Sequence, residues 1–309
     1  MIISASRRTD IPACYSQWLV NRMKAGEVLV RNPMNPRQVS RVVLSPETVD
    51  GFVFWTKNPI PMMEHLHVFD AYAYYFQFTL NAYGSDVEPG IPAKGNTMIP
   101  AFCRLADRIG PERVIWRYDP ILLSDTYTIE HHIRYFDMIA KRLHPYTRKC
   151  TISFIDLYSK TLRNGHGRAL TIEEQYQLAE ILSQIAHSYG LAMDTCAEHM
   201  DLERFGIGHA RCIDGQLFEK LLGVPVSDIR DKSQRPACRC MQSIDIGAYD
   251  TCVNGCTYCY ANMNAHRAMQ NYRMHNPDSA LLIGDIQQQD RIADRKMASC
   301  RTGQTSLWI

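Results

Sequence analysis

The sequence predicts an α/β chain: a (β/α) TIM-like barrel, partial or closed, followed by a C-terminal cysteine-rich cluster segment. Three observations lead there. Short β-branched and aromatic runs alternate with longer stretches of helical period. Each of those apolar runs turns abruptly polar at its end. Five of the eleven cysteines fall between positions 238 and 259, in CRCMQSIDIGAYDTCVNGCTYC.

Strands are expected at 2–4, 52–55, 74–80, 114–117, 151–155 and 191–194, with helices near 13–24, 97–109, 127–143 and 171–188. The clearest helix sets Ile172, Tyr176, Ala179, Leu182, Ile185 and Ala186 on one face. It opens on TIEE, where Thr171 can cap and Glu174 can close a capping box, and Gly190 follows its end. Alternation of this kind implies parallel strands joined by right-handed crossovers, and six such units build a barrel wall. The glycine-bearing stretch 81–96 reads as a long loop on the active side, where loops often cover a site. The body is expected over 1–222, a cysteine-rich segment over 223–272 and a tail over 273–309. Residues 223–237 read as a connector, 261–272 as a short helix, and the last apolar residues, Leu307, Trp308 and Ile309, as a docking end.

In a parallel barrel the carboxyl ends of the strands open on one face, and ligands gather there. The polar ends read SRRTD, WTKNP, FTLN, RYDP, IDLY and DTCAE. They would bring Arg7, Arg8, Asp10, Lys57, Asn58, Arg117, Asp119, Asp156 and Glu198 to one mouth. Taken singly, each could be an ordinary polar turn. As a set, Arg7, Arg8, Lys57 and Arg117 would position an anionic substrate or cofactor. Asp10, Asp119 and Asp156 would orient polar groups or move protons.

Composition excludes several classes. Of 309 residues, 46% are hydrophobic and 21% charged, enough for a sizeable core. With 34 Lys+Arg against 32 Asp+Glu, the net charge of +2 gives no global pull toward nucleic acid or membrane. A local basic groove stays open, so a nucleic-acid partner is neither supported nor excluded. No apolar run approaches a membrane span, and Arg7 and Arg8 interrupt the start before a signal core could form. The expected place is the cytoplasm, with no membrane partner. No Walker loop, dinucleotide fingerprint or GxSxG elbow is present, and no histidine has the i, i+4 partner of a metal helix.

In a reducing compartment, clustered thiols most often bind metal or do redox chemistry. Cys252, Cys256 and Cys259 stand as CVNGCTYC. A tight loop with these gaps can place three thiolates on three irons of a 4Fe-4S cluster, and Gly255 lets the loop curl. A closed structural zinc site usually wants two paired hooks and four ligands, which this triple is not. Cys196, Cys212, Cys238 and Cys240 form a second candidate set, for an auxiliary iron–sulfur cluster or a four-thiolate zinc ion. Its rival is that Cys196 and Cys212 are small buried hydrophobes. Cys14, Cys103, Cys150 and Cys300 read as core or surface residues.

The triple, with Tyr258 as the aromatic before the last thiol, resembles the cluster loop of radical S-adenosylmethionine enzymes, and CTYCY is similar to the spore photoproduct lyase branch. Over nearly its whole length the chain also resembles the bacterial domain of unknown function 1848 family. That resemblance rests on ISASRRTDIPA, VSRVVLSPE, FVFWTKNP, YYFQFTLN, RVIWRYDPIL, TCAE, SIDIGAYDTC and GCTYCYAN. The radical-enzyme resemblance implies that Cys252, Cys256 and Cys259 each hold one iron. The fourth iron would chelate S-adenosylmethionine, with a flavodoxin or ferredoxin as reductant and hydrogen abstraction from a substrate as outcome. The lyase-like motif implies nucleic-acid repair by association only. The cluster loop here follows the other strands. A circularly permuted radical S-adenosylmethionine barrel accounts for that order, with 241–247 as its first strand and 249–260 as its loop. No GGE segment is present, so Glu198 would stand in for it, with Tyr258, Tyr260 and Asn58 as further cofactor contacts. Two other readings remain: a non-radical iron–sulfur redox or sensor protein, and a zinc-stapled binding protein.

Overall fold

The structure is a computed structural model, and it describes residues 1–155 and 167–302. Asp156 and the apolar end Leu307, Trp308 and Ile309 lie outside the described residues.

In chain order the strands begin with β1 (Ile2–Ala5), β2 (Glu27–Arg31), β3 (Gln38–Val43) and β4 (Gly51–Thr56). They continue with β5 (Ala73–Thr79), β6 (Val114–Ile121), β7 (Lys149–Phe154) and β8 (Ala192–Thr195). Three short ones follow: β9 (Ile207–His209), β10 (Ser243–Asp245) and β11 (Arg291–Asp294). The helices are α1 (Ile11–Cys14), α2 (Ser16–Ala25), α3 (Ile60–Met63) and α4 (Ile99–Ile109). After them come α5 (Ile129–Leu143), α6 (Ile172–Ser188), α7 (Gly215–Leu222) and α8 (Ala265–Arg273).

Eight strands form one parallel sheet in the order β10-β1-β4-β5-β6-β7-β8-β9. With helices between successive strands, this is a mixed α/β fold with the arrangement of a partial α/β barrel. All six expected strands are present, and β9 and β10 extend the sheet at its two ends. Among the described residues the two end strands do not pair. The neighbouring segments do meet, through a backbone hydrogen bond from Met241 N–H to Ile213 C=O at 3.0 Å.

The strand alternation separates two apolar layers. Ile3, Phe52, Phe54, Phe76, Phe78, Val114 and Trp116 face the helices and form the main core. Ile2, Val53, Tyr75 and Ile115 face the other way, packing with Phe218 of α7, Cys212 and Met241 in a smaller core. Further along each strand that second face turns polar, through Ser6, Lys57, Thr79, Asp119 and Ser153, which line a cavity. An apolar floor and a polar mouth are therefore written by one alternation.

Local signals fare as their chemistry suggests. The capping box of α6 forms: Thr171 Oγ1 accepts from Glu174 N–H at 3.2 Å, and Glu174 Oε2 from Thr171 N–H at 2.8 Å. The helix after the cysteine loop starts at Ala265, four residues later than the composition suggests. Asn264 caps it there by accepting from Arg267 N–H at 2.7 Å. A second, three-stranded sheet was not anticipated. In it β2 and β3 make an antiparallel hairpin, and β11 from the tail adds parallel to β3. All four residues of β11 are exposed, so main-chain pairing holds the tail where no hydrophobic pattern could announce it. No helix among the described residues is long and apolar enough to cross a membrane.

Candidate functional site

The polar strand ends converge on a cavity of about 440 Å³. Both cysteine sets reach it: Cys252, Cys256 and Cys259 from the loop after β10, Cys196 and Cys212 from beside β8 and β9, and Cys238 and Cys240 from the segment before β10. Arg7, Arg8, Asp10, Lys57, Arg117 and Asp119 line it as well, with Tyr258 and Tyr260. Asn58 does not. Its side chain accepts from Ile60 N–H at 3.2 Å in the turn that starts α3. Glu198 also stands outside the wall, accepting from Phe154 N–H at 2.9 Å.

The cysteine loop is fixed from three sides. At the first strand, Asp10 is buried and accepts from Ala13 N–H, from Lys57 N–H at 2.7 Å and from the Asn254 amide at 3.0 Å. Burial pushes its carboxyl above the usual range despite these donors. The Tyr260 hydroxyl donates to Arg7 C=O at 2.7 Å. Beneath the same turn, Asp245 of β10 accepts from Ser4, from Ser6 and from Arg7 N–H at 2.8 Å.

The second side is the loop 81–96, which packs on the cysteine loop. Thr257 N–H donates to Val87 C=O at 3.0 Å, and Gly90 N–H to Asn254 C=O at 2.9 Å. A methyl on Gly90 would lie 2.7 Å from that carbonyl oxygen and 2.8 Å from Asn254 Cα, so only glycine permits this approach. From this loop Glu88 reaches a buried position, where Lys57 Nζ binds it at 2.8 Å, and Lys94 and the Tyr258 hydroxyl also donate to it. Burial pushes the Glu88 carboxyl up, but Lys57 and Lys94 outweigh it and hold it at about 2. Lys57 keeps its proton: burial opposes the charge, and Glu88 prevails. The sequence offered no periodicity or motif to single out Glu88, since it stands in a polar, glycine-bearing loop.

The third side is Cys14, at the end of α1, whose thiol lies close enough to Cys252 to act on its ionisation. That contact, then burial, pushes the Cys252 thiol up. Burial does the same for Cys256, against the pull of Lys57. Cys14 carried no spacing signal because its partner is brought to it only by the pairing of β10 with β1.

On the opposite wall, Arg117 is buried. It donates to Cys212 Sγ at 2.9 Å and to Asp119, which also accepts from Ser153. Burial raises the Asp119 carboxyl, but Arg117 and Ser153 more than offset it and keep it ionised. The Trp55 ring lies under both the Arg117 and Arg7 guanidiniums, at 5.2 and 5.4 Å. Arg7 Nη2 is buried with no hydrogen-bond partner. Cys212 and Cys196 have their sulfurs 3.4 Å apart. Among the described residues, no group of three or more His, Cys, Asp or Glu is gathered around one ion-sized point.

None of the curated proteins matches the chain. A family model described as a domain of unknown function, DUF1848, matches residues 2–261, from β1 through the whole cysteine loop. The chain belongs to the DUF1848 family.

Proposed function

We propose that this protein is an iron–sulfur enzyme of the radical S-adenosylmethionine kind, acting on a substrate still to be identified. The observation that carries the reading is the convergence of Cys252, Cys256 and Cys259 on a cavity at the carboxyl ends of parallel strands. The three thiols come from eight consecutive residues, curled at Gly255 with φ 69°, and are a soft donor set suited to iron. Three such thiols are the donor set that a cluster with three protein ligands requires. When bound, it would supply one electron to S-adenosylmethionine, whose cleavage gives hydrogen-abstraction chemistry.

The chain's own residues would do the rest. Asp10, through Asn254, and Glu88, through Tyr258, hold the loop in register with the mouth. Arg8 would present its guanidinium to an anionic ligand from the turn after β1. The cavity falls in the size range of small-molecule sites, about 300–1,000 Å³. The loop 81–96 would exclude water, as a dry site requires. The sheet order supports the permuted-barrel reading: β10, which precedes the cysteine loop, stands beside β1, ahead of the other strands.

One observation favours a second reading. Cys14 beside Cys252 places a fourth thiol near the loop, and a fully protein-ligated cluster would make a redox or sensor protein instead. Protein purified without oxygen separates the two. Iron and inorganic sulfide are measured, then electron paramagnetic resonance of the reduced protein with and without S-adenosylmethionine, in wild type and in Cys14→Ala. A four-iron signal that shifts with the cofactor in both proteins supports the enzyme. A signal blind to the cofactor in wild type overturns it, and a response appearing only in Cys14→Ala assigns Cys14 as a ligand.

A further inference from the structure

Four thiols lie apart from the Cys252–Cys259 loop, and they bridge the two ends of the sheet. Cys196 follows β8, and Cys212 sits between β9 and α7. Cys238 and Cys240 precede β10, the strand at the opposite end. Their side chains lie together at one cavity wall: Cys196 touches Cys212 at 3.4 Å, and all four pack in or against the smaller core. Cys212 and Cys240 are buried, Cys196 and Cys238 half-buried.

We propose that Cys196, Cys212, Cys238 and Cys240 form a tetrathiolate site for a single divalent ion of the zinc class, and that this ion clasps the barrel between β9 and β10. Spacing selects a single ion over a cluster. Zinc–sulfur bonds of about 2.3 Å in a tetrahedron put the sulfurs roughly 3.8 Å apart, close to the contact seen here. In a four-iron cluster each thiolate binds a different iron and is pushed outward by the core, so its sulfurs stand much farther apart. The zinc site is completed by drawing the other sulfurs in to the tetrahedral spacing. Binding closes it as M²⁺ replaces four S–H protons, giving M(S-Cys)₄²⁻ and four H⁺.

The surroundings suit that double negative charge. Arg117 donates to Cys212 at 2.9 Å, and the Arg7 guanidinium, whose buried Nη2 has no hydrogen-bond partner, lies within electrostatic reach of Cys240 and Cys212. Arg117 is shared with Asp119, and Arg7 lies 4.0 Å from Asp231. Ile213 N–H donates to Cys240 Sγ at 3.4 Å, and Tyr75 and Gln77 both donate to Cys212 C=O at 2.8 Å. Such outer contacts orient thiolates around a metal. The buried, unpartnered Nη2 of Arg7 is a donor that a tetrathiolate anion would satisfy.

The test separates this site from the iron loop. Full-length protein with Cys252→Ser, Cys256→Ser and Cys259→Ser is stripped with chelator and titrated with Zn²⁺ or Co²⁺ under reducing conditions. One equivalent should bind, with the Co²⁺ spectrum of a tetrahedral thiolate site. Adding Cys238→Ser should weaken it at least tenfold. No tight equivalent, binding indifferent to Cys238→Ser, or iron retained together with inorganic sulfide overturns the proposal. A second measurement needs no variant. In wild-type apoprotein, zinc should protect Cys196, Cys212, Cys238 and Cys240 together from alkylation, read by peptide mass; unequal or absent protection overturns it.

Discussion

Asn254, which stands between Cys252 and Cys256, donates its side-chain amide to Asp10 at 3.0 Å. The first strand's turn and the cysteine loop, far apart in the chain, thus share one buried carboxylate. Asp10 also caps α1 and receives Lys57 N–H, so three strand ends are tied at a single group.

Asn254→Ala should therefore loosen the loop and leave the sheet intact. Losing a hydrogen bond to a charged group removes about 1.5–3 kcal/mol. The expected result is a lower melting temperature with unchanged far-ultraviolet circular dichroism, and several-fold less iron per chain after anaerobic reconstitution. Unchanged iron loading would show that Asp10 serves only the helix cap.

Glu88 makes stability depend on acid. Its folded value of about 2 lies below the ordinary 4.5, so the unfolded chain takes up the proton first as pH falls. The stabilisation is complete above about 4.5 and is lost between there and 2. Glu88→Gln should cost on the order of 3 kcal/mol at pH 7, because Lys57 and Lys94 lose their buried partner. Urea unfolding of both proteins from pH 7 to 3 should show that gap narrowing; a constant gap would mean the lysines find other partners.

His132 works in a different window. Burial lowers it to about 4, and its ring accepts from the Tyr118 hydroxyl at 2.8 Å while Nε2–H donates to Leu122 C=O at 2.8 Å. Protonation would remove that acceptor, so stability should decline as pH falls from about 6.5 to 4, by roughly 3 kcal/mol in all. In His132→Gln the slope over this interval should flatten, as read from denaturation midpoints.

Gly90→Ala probes the loop 81–96. The added methyl meets backbone atoms of Asn254, which cannot swing aside as a side-chain tip could. A loss of about 1–3 kcal/mol is expected, the usual range for overpacking. In apoprotein, Cys252, Cys256 and Cys259 should alkylate faster than in wild type. An unchanged rate would mean that the loop 81–96 does not shield them.

The strands were legible because β-branched and aromatic runs such as FVFW and YYFQF bury both faces, and α6 because its cap and period agree. The mouth was legible for the same reason: SRRTD, WTKNP and RYDP end their strands where parallel sheets present ligands. Other features depend on tertiary pairing and left no local trace. β11 is exposed throughout, β9 has only three residues, and Glu88 and Cys14 gain meaning from partners distant in the chain. Asn58 and Glu198, polar residues at strand ends, each accept from the backbone of a neighbouring turn or strand, a partner that strand-end polarity does not specify.

The register of Ile2 against Ser243 also has a consequence for biosynthesis. A chain emerging from the ribosome can pair β1 with β4 and continue strand by strand, but the flank of β1 stays bare until β10 arrives. The thiols of the loop come later still, so on the iron–sulfur reading iron could be captured there only once the body is translated. Nascent chains arrested before residue 243 should retain protease-resistant middle strands while β1 remains susceptible, and should hold no iron.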